Sequence, residues 1–326
     1  MNKEFTLIEG FSGDEWDNFV EGSINGSIFS HSSYLDAANI NYKLFYCYKK
    51  QELRAAIVVI ESTFGDDVIQ NDFVIYSGVI FNKPTNNQNS SQQLSEQFKI
   101  NSFFASNLAS LYNKIQLSLH PSIIDVRPFL WFNYGEKKPQ YNTRIRYTTY
   151  VDISDFDRSI PIEQIKLFNK ASVSRRQQIR YAIKKGYRTD LTNDSLIFIK
   201  FYQNTMSRQN IIVEEDFLKN MQILIDKLLE LKKAKIFSCF DDKNELASMA
   251  FIGWDTKRAY YIFGANDPNK RNGHSGTAVL WDAFYHLNEI GIKTVDLEGV
   301  NSPNRGWFKL SFGGNIIPYY ELIYKK

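Results

Sequence analysis

Asp296 and Glu298 stand two apart at the end of an apolar run, Lys293–Leu297. Alternation along a strand puts residues two apart on one face, so both carboxylates point the same way. Upstream, Asp267-Pro-Asn-Lys-Arg-Asn-Gly-His-Ser-Gly276 is rich in turn residues and holds two glycines and two cations. It leads straight into a helical pattern with Leu280, Phe284, Leu287 and Ile290 on one stripe and Gly291 as its stop. A glycine-bearing loop at a helix N-terminus can cradle phosphate, because free N–H groups and the positive helix end converge on an anion. Arg271, Asn272, Gly273, His274, Ser275, Gly276 and Thr277 are therefore candidates for holding a phosphate-bearing donor. A neutral amine attacking an ester or thioester beside that loop needs positioning, oxyanion stabilisation and a base. Glu298 and Asp296 are the best-placed bases; their structural alternative is to cap Gly299-Val-Asn or to pair with Lys309.

These residues need a scaffold. Ala234–Asp241, Leu246–Trp254 and Ala259–Ala265, separated by polar turns, read as a three-stranded meander. The loop, the helix and the strand bearing Asp296 follow it. An equivalent order occurs earlier: Tyr42–Tyr48, Leu53–Ile60 and Val68–Tyr76 as a meander, a linker at Asn82–Ser91, a helix over Gln92–Asn113, and a strand at Lys114–Leu119. That linker carries no glycine and one cation, which suits a surface loop better than a phosphate cradle. Tyr141–Ile153 alternates strongly and reads as one long strand joining the halves, with a boundary near Asp155. Helices are expected at Leu196–Met206 and Glu215–Leu231.

Between Gln164 and Arg188 the sequence has cations and no acid; Arg176, Arg180 and Lys184 form one helical stripe beside an apolar stripe of Ile179 and Ile183. A charge run is ordinarily a solvated face, yet like charges four apart repel, and an anionic ligand would relieve them. In Ser122-Ile-Ile-Asp-Val-Arg-Pro, Asp125 reads as a turn residue that can pair with Arg127.

The chain has 326 residues, with 43% hydrophobic and 23% charged. That is enough for two ordinary cores in a globular protein. Its net charge of +3 is too small to argue for nucleic acid, and no DNA partner is expected. Residues 1–150 hold 13 basic and 15 acidic residues, a net of −2, and residues 151–326 hold 26 and 21, a net of +5. The basic excess thus accompanies the phosphate-type loop. Cys47 and Cys239 lie in apolar runs without metal spacing, so no metal is expected. No apolar run is long enough to span a bilayer and the N-terminus lacks a signal core, which predicts a cytoplasmic protein. Walker-type, nucleophile-elbow and zinc patterns do not occur.

The meander–loop–helix–strand order resembles the acyl-CoA-binding core of the GNAT superfamily, whose loop reads Gln/Arg-x-x-Gly-x-Gly/Ala. The match is at Arg271 and Gly276, with His274 at the inner glycine position. Asp296-Leu-Glu-Gly-Val and Gly306-Trp-Phe-Lys-Leu-Ser-Phe-Gly-Gly314 resemble the D-x-E-G and F-K-x-x-F-G signatures of Fem-type peptidoglycan aminoacyltransferases. Ser172 to Ala182 is similar to a Ser-x-x-Arg-Arg-x-x-Ile-Arg-x-Ala pattern in those relatives. The resemblance implies an α+β fold of two tandem GNAT-like domains, each a mixed, mostly antiparallel sheet flanked by helices. Residues 1–154 would shape the acceptor cleft, and residues 155–326 would bind the donor and catalyse. It implies acyl-CoA, acetyl-CoA foremost, as co-substrate, and Lys309 facing the donor and reacting centre. Asp125 with Arg127, and Arg176 with Arg180, would contact the acceptor or substrate. The acceptor it implies is an amine on a bacterial envelope precursor, such as a nucleotide-linked amino sugar or similar small molecule. Aminoacyl-tRNA as donor to a peptidoglycan precursor is the main alternative, and a non-catalytic ligand-binding relative is a third.

Overall fold

Contacts gather the chain into two compact units, Met1–Arg146 with Pro318–Lys326, and Tyr147–Ile317. The computed structural model describes residues 4–85 and 87–326, apart from the side chains of Pro268, Arg271 and Asn272. In chain order the first unit runs β1 (Phe5–Gly10), α1 (Asp14–Gly22), α2 (Ser32–Ala37), β2 (Tyr42–Lys49), β3 (Glu52–Ile60), β4 (Asp67–Val68), β5 (Gly78–Phe81), α3 (Ser90–Leu111), β6 (Lys114–Ser118) and α4 (Arg127–Leu130). An antiparallel sheet of order β1-β2-β3-β5 forms one part of it. Helix α3 starts at a capping box, with Asn89 Oδ1 accepting the Gln92 N–H at 3.0 Å and Gln92 Oε1 accepting the Asn89 N–H at 2.9 Å. Its Ile100, Phe104 and Leu108 join Ile57, Val59, Ile115 and Leu117 in the core of this unit.

The expected strand Val68–Tyr76 is broken after Val68. Asn71 Oδ1 accepts the Phe73 N–H at 2.9 Å and Val74 donates to the Asn71 carbonyl at 3.0 Å, which closes a turn where the strand would continue. The partner of β3 is instead Gly78–Phe81, while β4 lies parallel to β6.

The long strand β7 (Asn142–Asp152) leads into the second unit. There follow α5 (Lys166–Lys170), α6 (Val173–Lys184), β8 (Arg188–Thr192), α7 (Ser195–Ser207), α8 (Glu215–Glu230), β9 (Ala234–Phe240), β10 (Leu246–Trp254), β11 (Ala259–Asn266), α9 (Ser275–Glu289), β12 (Thr294–Asp296), α10 (Pro303–Leu310) and β13 (Asn315–Lys325). β13 runs back to pair antiparallel with β6 in the first unit, so the last residues belong there rather than with residues 155–317. Within the second unit the strand order is β7-β12-β11-β10-β9-β8. β11 and β12 pair in parallel.

The meander turns are those the sequence specifies: Asp241 Oδ1 accepts the Lys243 and Glu245 N–H groups, and Asp255 Oδ1 those of Lys257 and Arg258. Alternation sends Phe237, Cys239, Ala250 and Ile252 into one core with Leu280, Phe284 and Leu287 of α9 and Ile179 of α6. On the opposite face Phe251 meets Phe198 of α7, ring to ring at 6.2 Å. Helices therefore cover both faces of this mixed sheet. Elements of this unit that the sequence reading did not name include the edge strand β8, too exposed to alternate, and α10, opened by Pro303 inside what reads as an aromatic-basic tail. Among the described residues no helix is long and apolar enough to cross a membrane.

Candidate active site

β11 and β12 pair only at Ala259↔Val295 and Tyr260↔Asp296, and then part. Every group discussed next lies in the second unit, beside that parting or at the first turn of α9. Asp296 ends β12 fully buried and accepts hydrogen bonds from the Thr148 hydroxyl and, at 2.8 Å, from the Glu298 N–H. That bond holds Glu298 in a left-handed conformation, φ 57°. A glutamate at positive φ is uncommon and persists only where its surroundings impose it. Glu298 does not continue the strand alternation, yet it ends up 4% exposed, with Oε1 lacking a hydrogen-bond partner among the described residues. Burial first, then the Asp296 charge, pushes its carboxyl well above the ordinary carboxylate range, and Lys309 opposes them. Lys309 is half-buried; its Nζ lies 3.5 Å from the Gly299 carbonyl and 5.4 Å from the Tyr261 ring centroid. Burial draws its ammonium below the usual lysine range, while Glu298 and Asp296 pull it back up. Each group's charge thus biases the other's titration, the coupling expected of a neighbouring acid and base.

The other cluster surrounds the first turn of α9. His274 takes the left-handed conformation, φ 59° and ψ 30°, so the backbone shape that a glycine favours is retained with histidine in place. Its ring meets Tyr181 edge-on at 5.5 Å, and burial, with the nearby Arg175 charge, lowers its pKa. Ser275 Oγ lies 3.0 Å from Ser248 Oγ, which donates to Asn266 Oδ1. A Cβ on Gly276 would come within 2.6 Å of that same Asn266 oxygen, so a larger residue would have to displace the Asn266 side chain from its bond with Ser248. Next to it lies Arg175, 4% exposed. Its guanidinium reaches Thr277 Oγ1, Gln178 Oε1 at 2.6 Å, Ser311 Oγ at 2.7 Å and the Phe308 carbonyl at 2.9 Å. The rings of Phe308 and Phe312 contact it, with centroids at 4.4 and 4.3 Å. No carboxylate of the described residues pairs with it, and burial draws its pKa down to about 10.

Arg175, His274, Ser275, Gly276, Thr277 and Phe308 line a cavity of about 320 Å³. An unneutralised buried cation, a helix N-terminus of fifteen residues and a turn too tight for a Cβ suit an anionic group. The residues present therefore fit the phosphates of an acyl-CoA. Among the described residues no group of three or more His, Cys, Asp or Glu is placed to hold a metal.

The structure brings together Asp296, Glu298 and Lys309, and separately gathers His274, Ser275, Gly276 and Thr277; α10 lies between, bearing Lys309 toward the first cluster and Phe308 toward the second. Gly273 packs its Cα against the Tyr187 hydroxyl. The side chains of Arg271 and Asn272 lie outside the described residues. Arg176 and Arg180 are not in the cavity. Arg180 lies over Phe168 and pairs with Glu163 at 3.2 Å, so an acid just before the cationic run relieves part of the stripe without a ligand. In the first unit Asp125 and Arg127 hold each other through two bonds of 2.8 and 2.7 Å, with Arg127 over Phe98 and Trp131. Sequence reasoning passed over Arg175. The available signal was its place on the buried stripe Arg175, Ile179, Ala182, one cation among apolar residues; Ile183, assigned to that stripe, is 57% exposed.

Residues 173–307 match the family model described as an acetyltransferase (GNAT) domain. A search of curated proteins returned no match. Among solved structures the chain is similar to FemX, with a TM-score of 0.65 and 12% identity, covering 97% of this chain and 96% of that one. It is similar to a tandem GNAT protein from the clavulanic acid biosynthesis pathway, TM-score 0.55 at 8% identity, covering 98% of each chain. The L-PGS structure from Bacillus licheniformis has a TM-score of 0.52 at 14% identity, covering 97% of this chain and 93% of that one. At these identities the likeness is one of fold.

Proposed function

We propose, from the premise that residues 173–307 form a GNAT acyltransferase domain within a Fem-like tandem fold, that the chain moves an acyl group from acyl-CoA to an amine. Acetyl-CoA is the first candidate donor, and the proposed acceptor is an amine on an envelope precursor, such as a nucleotide-linked amino sugar. The observation that carries the donor assignment is the cavity in which an unpaired buried cation, Arg175, meets the N-terminal turn of α9.

In this reading the backbone amides of Ser275 and Gly276 bind the donor's phosphates, the Thr277 N–H being held by the His274 carbonyl at 2.9 Å. The acyl carbonyl lies toward the parting of β11 and β12. Ionised Glu298 takes the proton of the attacking amine as the C–N bond forms. Its raised pKa makes it a stronger base than a surface carboxylate. Lys309, as ammonium, faces the oxygen on which negative charge builds. The carbon–sulfur bond then breaks, and the thiolate leaves to be protonated. Asp296 touches no reacting atom here: it fixes the turn that aims Glu298 and keeps the pKa of that residue high.

The reading is tested by titrating the protein with acetyl-CoA, an aminoacylated tRNA, and UDP- or dTDP-linked amino sugars while following thermal stability. Acyl-CoA at a hundred times its Kd should stabilise the fold by about 2.7 kcal/mol. Glu298→Gln and Lys309→Met should each lower turnover by about 100-fold or more, measured as thiol release with each acceptor. Stabilisation by charged tRNA but by no acyl-CoA would transfer the assignment to aminoacyl-tRNA. Full activity in both variants would remove Glu298 and Lys309 from the chemistry.

A further inference from the structure

Helix α10 carries Lys309 but has little packing of its own. Gly306 is its one fully buried residue, and Trp307 is 73% exposed. Its orientation must come from particular contacts, and most of those lead to one side chain. Arg175 Nε and Nη2 donate to Ser311 Oγ at 3.0 and 2.7 Å, and Nη2 also donates to the Phe308 carbonyl, on either side of Lys309 in sequence. The Phe308 and Phe312 rings, set edge to face with each other, both contact the guanidinium from within α10 and just after it. The remaining nitrogen turns to Thr277 in the first turn of α9. A planar fork with five donors can tie two helices at once; a lysine or an apolar side chain of equal length cannot.

We propose that Arg175 is the positioning residue of this site, clamping α10 to the donor-binding turn of α9 and thereby holding Lys309 against Glu298. The proposal deepens the acyl-transfer reading and rests on it for the role of Lys309. A buried charge without an ion-pair partner is expensive, and an apolar residue of similar volume would ordinarily be more stable there. Its presence is explained if the fork sets a geometry. Rotating α10 by a fraction of a turn would carry Lys309 Nζ away from the Gly299 carbonyl and the Tyr261 ring. The charged groups facing Lys309 are Glu298, Asp296 and Arg305, and the titratable group facing Arg175 is His274.

The experiment reads Lys309 directly. Wild type, Arg175→Met, Arg175→Lys and Ser311→Ala are labelled with an amine-reactive reagent across a pH series, and the Lys309 peptide is quantified by mass spectrometry. In Arg175→Met the pH midpoint for Lys309 labelling should move up toward the ~10.4 of a free lysine, with a higher limiting rate at alkaline pH as the side chain becomes accessible. Arg175→Lys and Ser311→Ala, which keep the charge, should move the midpoint the same way by less. Turnover should fall about 100-fold in Arg175→Met, over and above any rise in donor KM from loss of the cation. In Ser311→Ala, which keeps the cation, turnover should fall with donor KM changed by no more than about twofold, the signature of misplaced chemistry rather than lost binding. An unchanged Lys309 midpoint in the folded variants overturns the proposal. So does a loss confined to donor KM, which would make Arg175 a donor ligand only. Should Arg175→Met fail to fold, Ser311→Ala decides, since it removes the acceptor of two of the fork's bonds and leaves the cation in place. If wild type transfers no acyl group from any donor, the functional reading fails, and the labelling series still decides the clamp.

Discussion

Glu298 is a buried carboxyl whose ionisation costs the fold. With its folded pKa raised above the value of 4.5 for an unperturbed glutamate, the native state binds more protons than the unfolded chain from about that pH upward. Stability from this group is therefore complete below pH 4.5 and is lost as pH rises through the folded value. Glu298→Gln abolishes that slope. Thermal melts of wild type and variant across pH 4 to 8 should converge at the acid end, and the variant should melt higher toward neutrality. Parallel curves would mean that Glu298 titrates normally and cannot be the tuned base. Asp296 and Glu298 were legible as candidate chemistry from their types and spacing, and Lys309 through the resemblance of its motif. Arg175 was not, because an arginine on a helix reads as solvated unless the neighbouring helices are known. Nor was the left-handed turn at Glu298, which depends on the Asp296 side chain being pinned by Thr148 from a distant strand.

Helix α10 shows how close approach, rather than periodicity, sets an element in place. A Cβ on Gly306 would lie 2.6 Å from the Val300 carbonyl oxygen, and one on Gly313 would lie 2.5 Å from the Lys170 carbonyl carbon at a φ of 86°. Backbone atoms cannot swing aside as a side chain does. Gly306→Ala should cost about 1–3 kcal/mol through overpacking. Gly313→Ala should cost more, because it adds a strained φ to the clash. Gly273→Ala meets only the end of the Tyr187 side chain and should be the mildest of the three. Denaturant melts rank them; a ranking with Gly273→Ala worst would contradict the packing of α10. The motif Phe-Lys-Leu-Ser-Phe-Gly-Gly is thus a helix end seated against neighbouring backbone. Its two phenylalanines hold Arg175 as well as filling core.

In the proposed function the donor chemistry falls within residues 147–317, a reading that charge and contact support. The half with the net positive charge holds the cavity, the paired acid and lysine, and the GNAT domain match. Hydrogen exchange with and without saturating acetyl-CoA should show protection concentrated in the first turns of α6 and α9, the end of β11 and α10. Protection confined to residues 4–146 would refute the donor assignment. Long periodic elements were legible throughout: α8, α9, β10 and β11 run close to their expected bounds. The meander of the first unit was not, because Asn71 closes a turn inside an apolar run and moves the third strand to Gly78–Phe81.

Composition, period and motif were enough to read the α+β class, the repeated order of elements, the glycine turn before α9 and the acid pair after β12. Those features are local in the chain, and each follows from propensity or from side-chain alternation. Where Arg175 goes, which cations stay outside the cavity, why Glu298 leaves the strand pattern and how α10 is held are decided by residues far apart in sequence. Burial without a counter-ion is a property of a surrounding shell, and that shell exists only once the chain has folded.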